Sequence, residues 1–434
     1  MSSTTNARRT PLSPPPAGDR HRLLAGWAAT RRPAGFAEHR ARYGPPQSAD
    51  RIGRRWLLAE VEAAGLLGRG GAGFPTARKL RAVAAARRPF VIANGCEGEP
   101  VSDKDHALLT VAPHLVFDGA ELAAQLVGAR EVALCVHRGD PLVETLEAAY
   151  AERPSSEVGL RVVGVPKRYV ASEESALVNF VNTGDARPTT KPPRPSERGV
   201  GGRPTLVDNV ETLAQLALIA RYGAAWFRGC GTDTAAGTTL VTAWGAVRAP
   251  GVHEVALGTP IAGALDCAGG PSEAVQAVLV GGYGGAWLRF PAAARVPLDH
   301  DGLRAAGATL GVGSLVVLPA AACGIAETAR VLRYLAGESA AQCGPCMFGL
   351  PAIAEDYAQL VLGGRTAAAA RQRLRSRLPD ISGRGACAHP DGAVRLAVSG
   401  LRAFDDDLRA HLSGRPCPYA AFAHLPVPGF GYEP

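Results

Sequence analysis

Apolar positions follow three successive patterns along the chain. Over residues 51–236, helical spacing alternates with short apolar runs. Trp56, Leu57, Val61 and Ala64 fall on one helix face. Residues 89–94 read as a buried strand entering a loop, and residues 131–136 and 160–165 as two more. Strands separated by helical stretches predict an α/β layer with a largely parallel sheet. Over 237–322 the spacing changes. Residues 239–245, 252–255 and 278–282 are strand-like, with a turn at Ala249-Pro250-Gly251, which predicts a small β-rich module. From 323 to 434 the pattern is helical again. Ile325, Ala329 and Leu332 share a face, as do Ile353, Tyr357, Leu360 and Val361, and Val394, Ala397, Val398 and Leu401, so a helical bundle is expected. Residues 1–50, rich in Pro, Arg and Ser, read as a variable, partly disordered arm.

Glycines punctuate the first region at one place above all. Gly68-Arg69-Gly70-Gly71-Ala72-Gly73-Phe74-Pro75-Thr76 lies between two helical stretches. A backbone stripped of side chains turns its N–H groups toward an anion and admits a flat ring or phosphate closely. The helix expected after it, from Ala77-Arg78-Lys79-Leu80, offers further N–H groups. The same pattern also suits a tight surface turn. At the other end of the chain, Cys343-Gly344-Pro345-Cys346 is followed 41 positions later by Cys387. This is a soft-metal pattern that suits zinc or an iron–sulfur cluster. A phosphate-type loop and a thiolate site in one chain suggest a flavin that passes electrons to a cluster.

Three more segments carry candidate chemistry. Asn94-Gly95-Cys96-Glu97-Gly98-Glu99-Pro100 follows an expected strand, where ligands of α/β sheets bind. Tyr169 to Ala176 contains the paired acids Glu173 and Glu174, which either complement a helix dipole or accept ribose hydroxyls. Lys191-Pro192-Pro193-Arg194-Pro195 leads into residues 203–212, whose Asp208-Asn209 pair suits hydrogen bonding to a ring edge.

Composition narrows the picture. The 434 residues carry a net charge of +8, with scattered arginines and no nucleic-acid-binding motif, so no nucleic-acid partner is expected. The sign suits an acidic partner such as a ferredoxin-like carrier. Four of the 47 basic residues are lysine, and Lys79 and Lys191 fall inside the motifs above. Nine cysteines without an apolar leader argue for a reducing, cytoplasmic setting. The uncharged run 305–325 is interrupted by five glycines and prolines, so a loop with a buried strand at 314–318 is expected rather than a membrane span.

In their order along the chain, these motifs and cysteines resemble the flavin-bearing F subunit of complex I-type NADH dehydrogenases, with relatives in NAD-linked hydrogenases and formate dehydrogenases. The resemblance spans roughly residues 35–415. It implies a Rossmann-like FMN-binding α/β domain, a β-grasp-type (SLBB) middle module and a helical bundle holding a [4Fe-4S] cluster. It implies that FMN is held by Gly68, Arg69, Gly70, Gly71, Lys79, Asn94, Tyr169, Glu173, Glu174 and Asn209, with Lys191 beside them. Phe74 would stack on the dinucleotide, Glu99 would stand beside the nicotinamide, and Glu174 would meet its ribose. NADH or NADPH would reduce FMN, and single electrons would pass to a cluster on Cys343, Cys346 and Cys387. They would then leave to a partner redox subunit or a quinone-linked complex at a membrane periphery.

The chain also departs from the family. Glu338-Ser339-Ala340-Ala341-Gln342-Cys343 stands where the family has Glu-Ser-Cys-Gly-x-Cys, so Ala340 replaces the first thiolate. Three cysteines can hold a [3Fe-4S] cluster, or a [4Fe-4S] cluster with another fourth ligand, for which Ser339, Gln342 and His389 are near in sequence. Arg194 and Ala82 replace aromatics on the dinucleotide side. Cys96 and Asp208 stand where Asp and Asn are usual. These departures keep two alternatives open: a flavoprotein that exchanges electrons only with protein carriers, and a non-catalytic scaffold.

Overall fold

The computed structural model describes residues 21–415 and 417–428. Strands β1 (Phe90–Asn94), β2 (Glu131–His137), β3 (Gly159–Val165) and β4 (Thr205–Asn209) form a parallel sheet in the order β3-β2-β1-β4. Alternation assigns its two faces. Val91, Ala93, Val132, Leu134 and Val136 join one core with the helices Arg54–Ala64, Thr76–Ala84, Pro113–Val127 and Val210–Arg228. Phe90, Ile92, Ala133, Cys135 and Val207 point the other way, against Ala171, Leu177 and Val200. Covering both faces explains the continuous apolar runs that mark β1 and β2 in the sequence. The chain lays down β1, β2 and β3 in one direction, then places β4 on the far side of β1. The crevice between the carboxyl ends of β1 and β4 is therefore the topological switch point, where open α/β sheets receive ligands.

The second sheet consists of β5 (Thr238–Gly245), β6 (Gly251–Ala256), β7 (Val275–Val280), β8 (Ala286–Arg289) and β9 (Ser314–Pro319), in the order β6-β5-β9-β7-β8. The pair β5 and β9 is parallel and the other neighbours are antiparallel. One face packs Val241, Val278 and Val317 against Ile261 and Leu265 of the helix Ile261–Cys267. The other packs Leu279, Val316 and Leu318 against the C-terminal helices, through Ile325, Val331, Leu335, Ile353 and Leu396. Those helices are Gly324–Gly337, Leu350–Leu362, Gly364–Ile381, His389–Ala403 and Asp405–Leu412. The uncharged run 305–325 becomes loop, β9 and the start of a helix. Among the described residues no single helix is long and apolar enough to cross a membrane.

Residues 1–20 of the expected N-terminal arm lie outside the described residues. Residues 21–50 carry three short helices, Ala25–Thr30, Phe36–Tyr43 and the start of Ala49–Ile52, anchored by buried Leu23, Leu24, Ala25, His39, Tyr43 and Ala49. Glu254 on β6 accepts the backbone N–H groups of Arg22, Leu23 and Leu24 at 2.8–3.0 Å, and Leu23 is fully buried. Asp118 lies 3.0 Å from His39 and binds Arg153 at 2.8 Å. Burial opposes its charge, but His39, Arg221 and Arg153 hold its carboxyl well below the usual range.

Candidate functional site

Register brings Asn94 and Asn209 side by side at the carboxyl ends of β1 and β4. Asn209 donates from Nδ2 to the Asn94 carbonyl at 3.3 Å and to Asp105 at 2.7 Å. Its Oδ1 caps the helix Val210–Arg228 through the Glu211 N–H at 3.0 Å. Asn94 donates to the Ser172 carbonyl at 3.0 Å and accepts the Cys96 N–H at 3.1 Å. Both asparagines are thus locked before any ligand arrives.

The glycine loop closes over this crevice. Its base is a bridge between Leu67 and Pro75, with Gly68 N–H on the Phe74 carbonyl at 2.9 Å and Thr76 N–H on that of Leu66 at 3.0 Å. A Cβ on Gly73 would meet the His300 ring at 2.4 Å, with φ at +60°, so only glycine fits there. A Cβ on Gly70 would lie 3.4 Å from the Asn209 Cβ, which leaves room for a methyl and little more on the side facing the strand ends. Gly71 rests on Gly311, so the middle sheet's loops back the crevice. The following helix, Thr76–Ala84, starts without a side-chain cap, and the buried Thr76 hydroxyl has no partner.

The charged residues divide into two groups. Lys79 reaches the Val207 carbonyl and lies 3.3 Å from Asp208 at the crevice. Burial raises the Asp208 carboxyl, Lys79 opposes the rise, and one of its oxygens has no partner. The Arg69 guanidinium, by contrast, is spent on protein. It binds the Leu67 and Thr238 carbonyls at 3.0 and 3.1 Å and faces Glu211 at 3.7 Å, while its backbone N–H goes to Thr212 at 2.8 Å. Arg69 shapes the loop. Glu173 caps the helix Glu174–Thr183 through Ser175 and Ala176, and its other oxygen meets Lys191 at 2.6 Å. Lys191 also meets Glu174 at 2.7 Å. The dipole reading holds for Glu173, with Lys191 joining the two acids. Phe74 is exposed, with the Arg78 guanidinium 5.5 Å from its ring centre; Arg194 and Ala82 are exposed as well.

Glu99 is 6% exposed. Burial pushes its carboxyl up to about 7, against hydrogen bonds from the Tyr283, Val101 and Gly284 N–H groups and from the Tyr169 hydroxyl at 3.0 Å. Its second oxygen has no partner. A Cβ on Gly282 would fall 2.4 Å from this carboxylate, so the middle sheet's loop presses against it. Tyr169 also donates its backbone N–H to Glu338 at 3.0 Å, and its ring lies 5.2 Å from that of His389.

That contact leads to the cysteines. Cys343, Cys346 and Cys387 lie within electrostatic reach of one another, and Cys387 also of Glu173 and Lys191. Nearby backbone N–H groups favour the thiolates, those of Ala386 and Cys346 at Cys343, of Ala340 at Cys346 and of His389 at Cys387. Among the described residues no three His, Cys, Asp or Glu side chains converge on one point that a single ion would take. A lone zinc needs ligand atoms within about 2.0–2.3 Å, whereas in a cluster each thiolate meets its own iron.

Sequence reasoning missed a buried layer under the crevice. Lys104, 2% exposed, places its ammonium 2.6 Å from Asp105, 3.1 Å from Glu211 and 3.1 Å from Asn209. Burial disfavours this ammonium, but Asp105, Glu211 and Glu97 more than offset that and hold it above its ordinary value. Glu97 receives the N–H groups of Lys104, Asp105 and His106, and burial pushes its carboxyl up to about 7. No motif signals this layer; a lysine at a helix start in a lysine-poor chain is the only sign. The large cavity of about 550 Å³ lies elsewhere, between the N-terminal helices and Tyr222 and Trp226 of the helix Val210–Arg228, away from the strand ends.

Comparison with known proteins gives the family. Residues 61–218 match the Nuo51 FMN-binding domain, and residues 326–411 match the iron–sulfur binding region of NADH-ubiquinone oxidoreductase-F. The chain is 32% identical to the F 2 subunit of the NADH-quinone oxidoreductase of Rhizobium meliloti over 383 residues, covering 84% of this chain and 90% of that protein. It belongs to the family of NADH-quinone oxidoreductase F subunits. The F subunit of the Mycobacterium tuberculosis enzyme is 31% identical over 384 residues, covering 84% of this chain and 86% of that protein. Among solved structures, a chain of an NAD+-reducing [NiFe]-hydrogenase in the H2-reduced state superposes with a TM-score of 0.80 at 31% identity, covering 94% of this chain and 73% of that one.

Both cofactors that the family domains name fit the residues present. The crevice pairs a side-chain-free cradle with a free buried hydroxyl and a lysine, which suits the phosphate and ring of FMN. The three thiols lie within electrostatic reach of one another, with backbone N–H groups near enough to favour the thiolate form that binds iron.

Proposed function

We infer that this F-type chain takes electrons from NADH or NADPH at the β1/β4 crevice and hands them to an iron–sulfur centre on Cys343, Cys346 and Cys387. FMN supplies the step between a two-electron donor and one-electron carriers. The observation that carries the reading is the short physical link between the two places. Tyr169 touches Glu99 with its hydroxyl, Glu338 with its N–H and His389 with its ring, and Cys387 sits in the field of Glu173 and Lys191.

In this reading Gly68, Gly70 and Gly71 leave room for the flavin, and Asn94, Asn209 and Lys79 face it. Arg69 and the Lys104 layer hold the cradle rigid. Phe74 lies open for a dinucleotide ring, and Glu174 for its ribose. Glu99 keeps one oxygen without a partner for the nicotinamide amide, and Tyr169 holds a proton on the other. Exposed Met347 and Phe348, directly after Cys346, support the exit of electrons to a partner redox protein. The first sheet supports a Rossmann-like description for 51–236. The β5–β6 hairpin, the crossing helix and the parallel β5/β9 pair support a β-grasp-type (SLBB) module over 237–322. Residues 323–434 are then the cluster-bearing bundle and tail.

The test is anaerobic purification of the full chain with FMN, iron and sulfide supplied. A yellow protein bleached by NADH supports the reading. Bleaching only by dithionite or a reduced ferredoxin moves it to a flavoprotein served by protein carriers. A colourless protein leaves a scaffold.

A further inference from the structure

We propose that His389 completes the iron–sulfur centre, ligating its fourth iron through Nδ1. This rests on the reading of Cys343, Cys346 and Cys387 as cluster ligands. A [4Fe-4S] cluster exposes four irons, and imidazole replaces thiolate on iron in known cluster types. Here three thiolates are present, and the Ala340 methyl can bind no metal.

The His389 ring is held in the orientation a ligand needs. It is buried, and Nε2 lies 2.8 Å from the Leu335 carbonyl. A carbonyl only accepts, so Nε2 carries the hydrogen and Nδ1 carries the lone pair. Nδ1 is buried with no protein partner. Metal-bound histidines commonly donate their other ring N–H to a backbone carbonyl, which fixes the tautomer. Nδ1 is also the ring nitrogen nearer the main chain, and His389 follows Cys387 by two residues, with its backbone N–H near enough to that sulfur to favour the thiolate. Leu335 belongs to the helix that ends at Gly337, three residues before Ala340, so the imidazole sits against the base of the segment that lacks a ligand.

The other nearby donors are worse placed. Gln342 is exposed, and Glu338 is engaged by the Tyr169 N–H. Ser339, half-buried, offers a neutral hydroxyl, a poorer donor for a soft iron centre than imidazole. The Tyr169 ring lies beside that of His389, 5.2 Å between centres.

The experiment uses the full chain, reconstituted anaerobically with iron and sulfide and reduced with dithionite. Iron is counted by Mössbauer spectroscopy, and nitrogen coupling is read by pulsed EPR on protein labelled with 15N-histidine. We expect a strong nitrogen coupling that changes on labelling. His389→Ala should abolish it and remove about one iron in four, leaving a three-iron signal. Ala340→Cys with His389→Ala should regain that iron without the nitrogen coupling, which excludes misfolding as the cause. Wild-type protein with no histidine coupling, or His389→Ala with unchanged iron and EPR, overturns the ligand assignment. Cys387→Ser separates the two levels. If it loses iron while His389→Ala changes nothing, the cysteines stand and the histidine falls. If it keeps its iron and its signal, the cluster assignment itself is wrong. A wild-type chain that binds no cluster overturns both.

Discussion

Asn94 and Asn209 end two parallel strands in register, and the amide of one donates to the carbonyl of the other at 3.3 Å. This pairing fixes the mouth of the switch-point crevice. It also sets the distance to the glycine loop, because Gly70 packs against the Asn209 Cβ.

A side chain at Gly70 should therefore fill the crevice without breaking the fold. Its φ lies outside the left-handed region, and an added Cβ meets only an ordinary contact at 3.4 Å. We expect Gly70→Val to weaken FMN binding at least about 100-fold, roughly 2.7 kcal/mol, with little change in melting temperature. Flavin fluorescence titration and thermal unfolding measure the two quantities. Tight FMN binding by Gly70→Val would place the flavin elsewhere.

Glu99 makes stability and donor chemistry depend on pH. Its carboxyl has an ordinary value of 4.5 when unfolded and about 7 when folded. Between these values the folded chain keeps a proton that the unfolded chain releases. Its contribution is therefore greatest below about 4.5 and is lost as pH rises to about 7, at up to about 1.4 kcal/mol per pH unit. Glu97 titrates over the same range, so the measurement is a difference. Glu99→Gln should flatten the fall in melting temperature between pH 5 and 7 relative to wild type, and should remove the corresponding pH dependence of flavin reduction by NADH. An unchanged pH profile in both assays would count against Glu99 facing the donor.

The layer under the crevice is structural and charged. Removing Lys104 leaves Asp105 and Glu211 buried without their cation. Lys104→Met should cost about 3–5 kcal/mol, read by urea denaturation, and should weaken FMN binding only in proportion to the unfolded fraction. A loss below about 1 kcal/mol would mean that water or an ion already serves these carboxylates.

Ala341 has φ at +51°, the left-handed region that glycine tolerates and alanine does not. Ala341→Gly should stabilise the cluster segment by about 1 kcal/mol, less the entropy that glycine adds to the unfolded chain. Slower loss of iron to a chelator is the expected reading. Faster loss would show that the strain serves the site.

Much of this architecture was legible because it depends on burial. The strands β1 and β2 are covered on both faces, so their apolar runs are continuous, and these two and the half-buried edge strand β3 lie within a residue of where the pattern puts them. β4 was not legible. It is only five residues long, follows Pro204 and ends in Asp208-Asn209, so its polar end reads as a loop although the whole strand is buried. β8, four residues around Trp287, is hidden for the same reason. The helices after residue 21 were obscured by proline and arginine; Glu254, far along the chain, supplies the hydrogen bonds that dock them. At the site, the loop and thiol motifs announced themselves by spacing. Arg69 and Glu173 did not reveal that their charges are satisfied within the protein, since those partners come from distant segments. The meeting of Tyr169, Glu338 and His389 is tertiary and has no local pattern at all.

Freeze-quench EPR of the full chain, loaded with FMN and cluster and mixed with NADH under anaerobic conditions, follows electrons from the donor through the flavin to the thiol-bound iron. The flavin absorbance should fall and the reduced-cluster signal should rise in the same molecules. A flavin that bleaches while the cluster stays oxidised, although dithionite reduces it, would show that the crevice and the thiol site are not electronically connected.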